Sequence, residues 1–393
     1  MASDSKTTGE VATPVPVFSG GGARRRRAGW IVALAAAVLP GFAVAAPAAA
    51  DDTGYFLYAH GFLSNGIVGY SASDTGQPVP VPGRADSGMP NWPQAATPDG
   101  RFLFVAPTTE RRLLTYAIGP DGGLTPGTTL ALPDVPIDIA FAPNGRDAYV
   151  VVGLVNAKVV PLRIGADGVP TLNGEPMPFG AATDSVSTVS VAPDGESLFV
   201  TSLFTRELLH FDIRADGTLS QARQRLATGV NPIFPTPTTD GRAVYVINEL
   251  TADVSAYHRA ADGTLTEMAD SPYPAGLLPH VPSITPDGRY MYVPNMGSSF
   301  ISAYRIETDG ALTPLPNADF APDKFGVFAE SSVMSPSGKT LWALGTDPAR
   351  GGEEILRRFA IGPDGVLDLD ESTSIYTGTT VADGRTMTLV PRR

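Results

Sequence analysis

The stretch PHVPSITPDGRYMYVPN (279–295) decides how the rest of the chain is read. Its second half is a Pro-Asp-Gly-Arg turn followed by the apolar run YMYV. Asp-Gly supplies the positive φ that a tight hairpin requires. The same phrase recurs as TPDGRFLFV (97–105), APNGRDAYV (142–150), APDGESLFV (192–200), TTDGRAVYV (238–246) and SPSGKTLWA (335–343), at intervals of 45 to 50 residues. A strand-like run precedes each turn, as in IDIAFAP, VSTVSVAP and HVPSITP. A third run follows (LLTYAI, KVVPLRI, ELLHFDI, DVSAYHR, FISAYRI, ILRRFAI), then a second turn such as RADGTLS or ETDGALT. Four short antiparallel strands at this interval are the period of a β-propeller blade.

The ends fix the number of blades. GYFLYAHG (54–61) reads as a second strand with no first strand before it, whereas RTMTLVPRR (385–393) reads as a first strand with nothing after it. Pairing the two closes the ring. An all-β, seven-bladed propeller is therefore predicted over 51–393, with four antiparallel strands per blade and one blade shared between the termini. Closure also removes the free sheet edges that invite aggregation.

Residues 1–50 read differently. Four arginines (Arg24 to Arg27) precede the apolar stretch 31–46, and Ala48-Ala49-Ala50 offers a small-residue cleavage site. This is the pattern of a secretory signal, with general and twin-arginine export both open. The expectation is a secreted protein cleaved near Ala50, with no membrane association after cleavage. Removing 1–50 takes away five basic and two acidic residues, leaving 23 basic and 38 acidic residues and a net charge of −15. Such a surface excludes nucleic acid and anionic lipid as partners. The chain has no cysteine, so stability has to come from the apolar core rather than from disulfides. A monomer is expected.

Two units carry a family resemblance, PDGRYMYVPNMGSSFISAYRIETDGALTPL (286–315) and DGRAVYVINELTADVSAYHRAADGTLTEM (240–268). They resemble the seven-bladed propeller lactonases, which include propeller-type 6-phosphogluconolactonases and carboxymuconate-lactonising enzymes. The resemblance extends over 54–393 and implies the fold together with a lactone-directed activity. The family's Pro-His-x-His entrance reads PHVP here, keeping His280 and replacing the second histidine by Pro282. The two acids that follow in the family are Asn295 and Ser299. INEL (247–250) keeps the family's Glu249, but GVNP (229–232) lacks the arginine expected at that entrance, and the order of the two blades is reversed.

In a propeller, the loops entering first strands and those joining second to third strands share one face, around the central channel. First-strand entrances place Asn91, Asp138, Asp184, Asn231, His280, Glu330 and Arg385 there, and the other loops add Arg206, Glu249, Asn295 and Arg350. A histidine beside a carboxylate can relay a proton near neutral pH, which opening or closing a lactone requires. His280 with Glu249 or Glu330 is the candidate catalytic set. Arg206 or Arg350 would hold a substrate carboxylate, and Asn231, Asn295, Asp184 and Asp138 would complete substrate binding. Trp92, Phe204, Phe234, Phe325, Phe328 and Met296 would supply an apolar wall. A mouth position further predicts that truncating His280 leaves folding nearly intact.

No nucleophile elbow, His-Glu-x-x-His, Walker loop or dinucleotide fingerprint occurs, so no cofactor or metal is implied. The acidic run DLDES (368–372) reads as a solvated edge. The expected function is an exported enzyme that hydrolyses or forms a small non-phosphorylated lactone or cyclic ester. The alternative is a non-catalytic propeller that binds a small ligand, polymer or partner protein. A phosphorylated substrate is disfavoured by the acidic charge and the lack of a phosphate cradle. A histidine–carboxylate pair within bonding reach discriminates the two readings.

Overall fold

The computed structural model describes residues 54–179 and 188–393. The proposed signal at 1–50 and Asp184 lie outside the described residues.

The chain folds into seven antiparallel sheets of a β-propeller. The blade that holds the opening stretch shows the plan, with strands at Ser283–Ile284, Tyr290–Pro294, Phe300–Ile306 and Leu312–Pro314 ordered from the inside out. A short fifth piece, Ala318–Asp319, pairs with the third strand beside the fourth, and two other blades carry the same extra piece. Second strands such as Asp147–Val152, Ala243–Asn248 and Tyr290–Pro294 are buried along their whole length. They read as unbroken apolar runs because each blade packs against a neighbour on both sides. Fourth strands face water: Leu219–Ala227 alternates between exposed and half-buried positions along most of its length.

The core consequently lies between blades rather than within them. Along the strand Tyr55–His60, Tyr55, Leu57 and Ala59 pack with Trp342, Leu344 and Leu356 of the last blade. Phe56 and Tyr58 pack the other way, against Leu103 and Val105. That is the two-residue period of a strand serving two interfaces at once.

Polar ties cross the same interfaces. Tyr58, Tyr149, Tyr245 and Tyr292 each donate from the phenol to a turn carbonyl of the next blade, at Gly122, Gly217, Gly310 and Gly365, over 2.7–3.1 Å. Each such bond contributes about 1 kcal/mol net. The glycine is needed for its turn and for space. Gly365 has φ +82, and a Cβ there would lie 2.2 Å from Cε1 of Tyr290.

Ring closure occurs as the termini predicted. Met387–Pro391 pairs antiparallel with Tyr55–Ala59, from Ala59 opposite Met387 to Tyr55 opposite Pro391. The amide of His60 donates to Thr386 O (3.1 Å), and that of Arg392 to Gly54 O (3.1 Å). The seam to the last blade is tied by Trp342 Nε1, which donates to Tyr55 Oη at 2.8 Å.

One feature was invisible in the repeat. Four first strands slip register at their entrances, between Asn91 and Gln94, Pro136 and Asp138, Ile233 and Thr236, and Ala329 and Ser331. Bulges of this kind bend a strand end and re-aim its side chains. They lie on the face that carries the candidate site.

Candidate active site

A cavity of about 200 Å³ opens at the entrance face. His280, Glu249, Asp383, Asp138 and Arg385 border it, with Trp92 and Phe234 among its apolar walls. His280 enters from the loop before Ser283–Ile284, fixed by its own amide, which donates to Pro294 O at 2.8 Å. Its Nδ1 lies 2.9 Å from Glu330 O. A carbonyl only accepts, so Nδ1 carries the hydrogen, and in the neutral ring Nε2 presents a lone pair. Nε2 faces two carboxylates at equal range, Glu249 Oε1 and Asp383 Oδ1, each at 3.5 Å. The ring of Phe234 meets the imidazole edge-on, with centroids 5.0 Å apart.

Glu249 follows the strand Ala243–Asn248, and its Oε2 accepts from Asn231 Nδ2. Burial pushes its carboxyl above the ordinary range; His280 pulls it down and the charge of Asp383 pushes it up. Asp383 lies in the segment between Leu367–Thr380 and the closing strand, and its Oδ2 accepts from Trp92 Nε1 at 2.8 Å. Phe62 stacks on the Trp92 ring with centroids 5.4 Å apart.

Across the cavity, Asp138 is buried and accepts from the amides of Ile139 and Val189, both at 2.9 Å, and from Arg385 Nε at 3.2 Å. Burial raises its pKa, and Arg385 only partly offsets that. The Arg385 guanidinium also lies over the Phe234 ring, 5.1 Å from the centroid, and borders the central channel below as well as the cavity. Phe234 has φ +47 and Asn231 φ +59. A bulky residue in the left-handed region is uncommon, and such strain concentrates at functional sites.

The structure thus brings His280, Glu249, Asn231 and Asp138 to one cavity. The other candidates lie elsewhere. Glu330 meets His280 through its main-chain carbonyl, while its buried carboxyl points away from the cavity lining and is held well above the ordinary range by desolvation. The bulge between Ala329 and Ser331 explains this, because the extra residue turns carbonyl and side chain to different neighbours. Asn295 is fully buried and organises its loop: its Oδ1 accepts from the Gly276 amide (3.0 Å), and its Nδ2 donates to Phe300 O (2.8 Å) and Ser302 Oγ (3.1 Å). Arg350, in the short 3₁₀ turn Pro348–Arg350, pairs with Glu353 at 2.8 Å and stacks on Tyr376. Arg206 is exposed and does not border the cavity.

His280 itself is 3% exposed. Truncating it would leave a cavity against Phe234 and an unpaired Glu330 carbonyl, so the expectation of intact folding is corrected to a loss of about 1–3 kcal/mol. Asp383 was missed altogether. Its only signal is an acid directly before Gly384 at the entrance of the closing strand, two residues upstream of Arg385. The close approach of the chain to Trp92 is what a glycine permits there: a Cβ on Gly384, at φ +85, would lie 3.0 Å from Trp92 O.

Comparison with known proteins follows the geometry. The family model described as lactonase, seven-bladed β-propeller, matches residues 80–277. A 6-phosphogluconolactonase of Enterobacter sp. (strain 638) is 29% identical over 185 residues, which is 46% of this chain and 53% of that protein, so the chain spans about half the length of that relative. A Bacteroides uniformis structure provisionally named 6-phosphogluconolactonase superposes with a TM-score of 0.72 at 19% identity, covering 86% of this chain and 100% of the other. The Pseudomonas aeruginosa periplasmic gluconolactonase gives 0.70 at 20% identity, over 86% and 99%. Likeness at that identity speaks for the fold alone. Together with the matched family model, the ring closed by its own C-terminal strand places the chain in its family: it belongs to the seven-bladed β-propeller lactonases.

Proposed function

We propose that this cavity hydrolyses a small non-phosphorylated lactone by general acid–base catalysis, in a protein that is exported. One observation carries the chemistry: a buried imidazole whose Nδ1 is committed to a carbonyl and whose Nε2 faces Glu249 at 3.5 Å. In the reaction, water attacks the lactone carbonyl and gives a proton to His280 Nε2. The carbon–oxygen ring bond breaks, and Glu249, whose carboxyl burial raises above the ordinary range, protonates the leaving oxygen. Transfer of the proton from His280 to the Glu249 carboxylate resets both groups. Water and lactone are consumed, and a hydroxy acid is the product. Apo separations of this length tighten when substrate binds.

The charge around the cavity supports a substrate without phosphate. Asp138, Glu249 and Asp383 border it, and the cation beside them, Arg385, is already paired with Asp138. A phosphate dianion would meet the Asp383 carboxylate, with the Arg385 cation already engaged by Asp138. The Enterobacter relative is named for a phosphorylated substrate and the Pseudomonas neighbour for an unphosphorylated one, so both belong in the test. Hydrolysis of gluconolactone and of its 6-phosphate should be followed with the wild type, His280→Ala and Glu249→Gln. The expected result is turnover of the unphosphorylated lactone, falling about 10²- to 10⁴-fold in each variant. Preference for the phosphate ester, or full turnover in His280→Ala, overturns the reading. Absence of turnover on any lactone favours the binding alternative. A mature N-terminus near Asp51, measured by mass spectrometry on culture medium, checks export.

A further inference from the structure

We propose that Asp383 is the positioning residue of this site, holding the His280–Glu249 pair in its working arrangement, so that the closing segment of the ring carries part of the catalytic apparatus. The inference rests on the acid–base reading above and adds a residue and a structural dependence to it.

Nε2 of His280 has two carboxylate neighbours. Asp383 Oδ1 and Glu249 Oε1 stand at the same 3.5 Å from the ring's working nitrogen. They are not equivalent. Glu249 is the more deeply buried of the two, with 15% of its side chain exposed against 34% for Asp383. Its second oxygen takes a bond from Asn231, an amide that lines the same cavity. Asp383 borders the cavity too, but its second oxygen is fixed by the Trp92 indole, a donor that cannot itself gain or lose a proton. Trp92 is held in turn by Phe62 on one side and by the close passage of Gly384 on the other. An anion fixed in this way favours the imidazolium that forms when His280 takes a proton. Its charge also strengthens the hold of the Glu249 carboxyl on a proton, beside the larger effect of burial. Asp383 therefore acts through its neighbours rather than on substrate.

Among the described residues, few other charged groups stand near the pair. Asp138 and Arg385 border the same cavity and are paired with each other at 3.2 Å. Glu330 of the last blade approaches His280 through its carbonyl, and its buried carboxyl, outside the cavity lining, also feels the charge of Asp383. The charge of Asp383 is the one that reaches both members of the pair.

The placement has a consequence for folding. Asp383, Gly384 and Arg385 all border the cavity and immediately precede the strand Met387–Pro391 that closes the ring. An open ring would lack the anion and the guanidinium together.

The test uses the whole protein with Asp383→Asn and, as a milder change that keeps ring stacking, Trp92→Phe. Two readouts are needed. The first is the titration of the Glu249 carboxyl by ¹³C NMR, assigned with Glu249→Gln, which requires no turnover. Its midpoint should fall in Asp383→Asn, and less so in Trp92→Phe. The second is kcat on the lactone, expected to drop roughly 10- to 100-fold with little change in KM, the range by which a charge within 4–6 Å favours an ionised partner. The basic limb of the pH profile should move to lower pH. An unmoved Glu249 titration overturns the proposal whether or not the protein is an enzyme. A moved titration with no lactone activity in wild type would leave the positioning geometry intact and remove the catalytic reading. If Asp383→Asn fails to fold, an unchanged Glu249 midpoint in Trp92→Phe is sufficient to reject it.

Discussion

The two faces of this ring are built from the same strands and treat them in opposite ways. On one face, three of the turns between first and second strands share the same bonds. Thr97, Thr238 and Thr285 each donate from the hydroxyl to Asp99, Asp240 and Asp287 at 2.6–2.7 Å. The same aspartates accept from the amides of Arg101, Arg242 and Arg289 at 3.0–3.1 Å. In these three turns the aspartate Oδ1 is satisfied within the turn itself. On the other face nothing repeats. The entrances carry Asn91, Asp138, Asn231, His280, Glu330 and Arg385, four of them bulged and two near residues at positive φ. Polar groups there reach across blades, as Trp92 reaches Asp383 and Arg385 reaches Asp138. A repeated scaffold marks its site by the place where local satisfaction stops.

The largest expected effect tests whether the entrance face depends on closure. Deleting 386–393 removes the strand paired with Tyr55–Ala59 and buries nothing in place of Met387 and Val390, which are 4% and 1% exposed. At about 1.5–3 kcal/mol for each buried apolar side chain, before the lost ladder bonds, the deletion should cost more than about 5 kcal/mol. Thermal unfolding should show a collapse of Tm or an insoluble protein. An unchanged Tm would mean that the seam contributes nothing and that both faces are held by the other six blades.

A middle-sized effect comes from a buried acid that belongs to neither face's pattern. Glu354, second residue of the strand Glu353–Ile361, is fully buried; its Oε2 accepts from Thr379 at 2.5 Å and from Thr377 at 3.4 Å. Burial raises its pKa from 4.5 to about 8, against the pull of the two threonines. The native state therefore holds a proton that the unfolded chain releases near pH 4.5. The stability linked to this group is fully present below about pH 4.5 and is lost as pH rises to about 8. Denaturant unfolding between pH 5 and 9 should show a decline on the order of a few kcal/mol, and Glu354→Gln should flatten it. Glu249, Asp138 and Glu330 shift in the same direction, so some slope should survive. A wild type that gains stability across this range would contradict the assignment.

The contrast between faces also explains what could be read without coordinates. Blade count, strand order and closure follow from turns whose geometry is encoded within four or five residues, such as Thr285 to Arg289. His280 was legible because it departs from the other first-strand entrances, and Glu249 because INEL resembles the family's motif. Glu330, Asn295 and Arg350 were not, since side-chain direction at an entrance depends on bulges and on partners tens of residues away. Glu330 turns its carboxyl aside at a register slip, and Asn295 is bonded to Gly276 and Ser302 of its own blade. Asp383 depends on Trp92, 291 positions earlier in the chain. No local window contains that pair.

The smallest effect sharpens the comparison from the scaffold side. Asp287→Ala removes the acceptor for the Thr285 hydroxyl and the Arg289 amide in a turn that otherwise keeps Gly288 at φ +71 and the Thr285–Gly288 main-chain bond of 2.8 Å. The turn is solvent-exposed, so water can replace the lost carboxylate, and the loss should be about 0.5–1.5 kcal/mol. In a chain of this size that lowers Tm by only a few degrees, about 2–4 °C per kcal/mol. Lactone turnover per folded molecule should be unchanged, because the substituted residue and His280 stand at opposite ends of the same strand pair. Calorimetry and turnover on Asp287→Ala would check both halves of the claim. A loss of turnover larger than the loss of folded protein would mean that the turn face communicates with the cavity, and that the division between a purely geometric face and a chemical one is wrong.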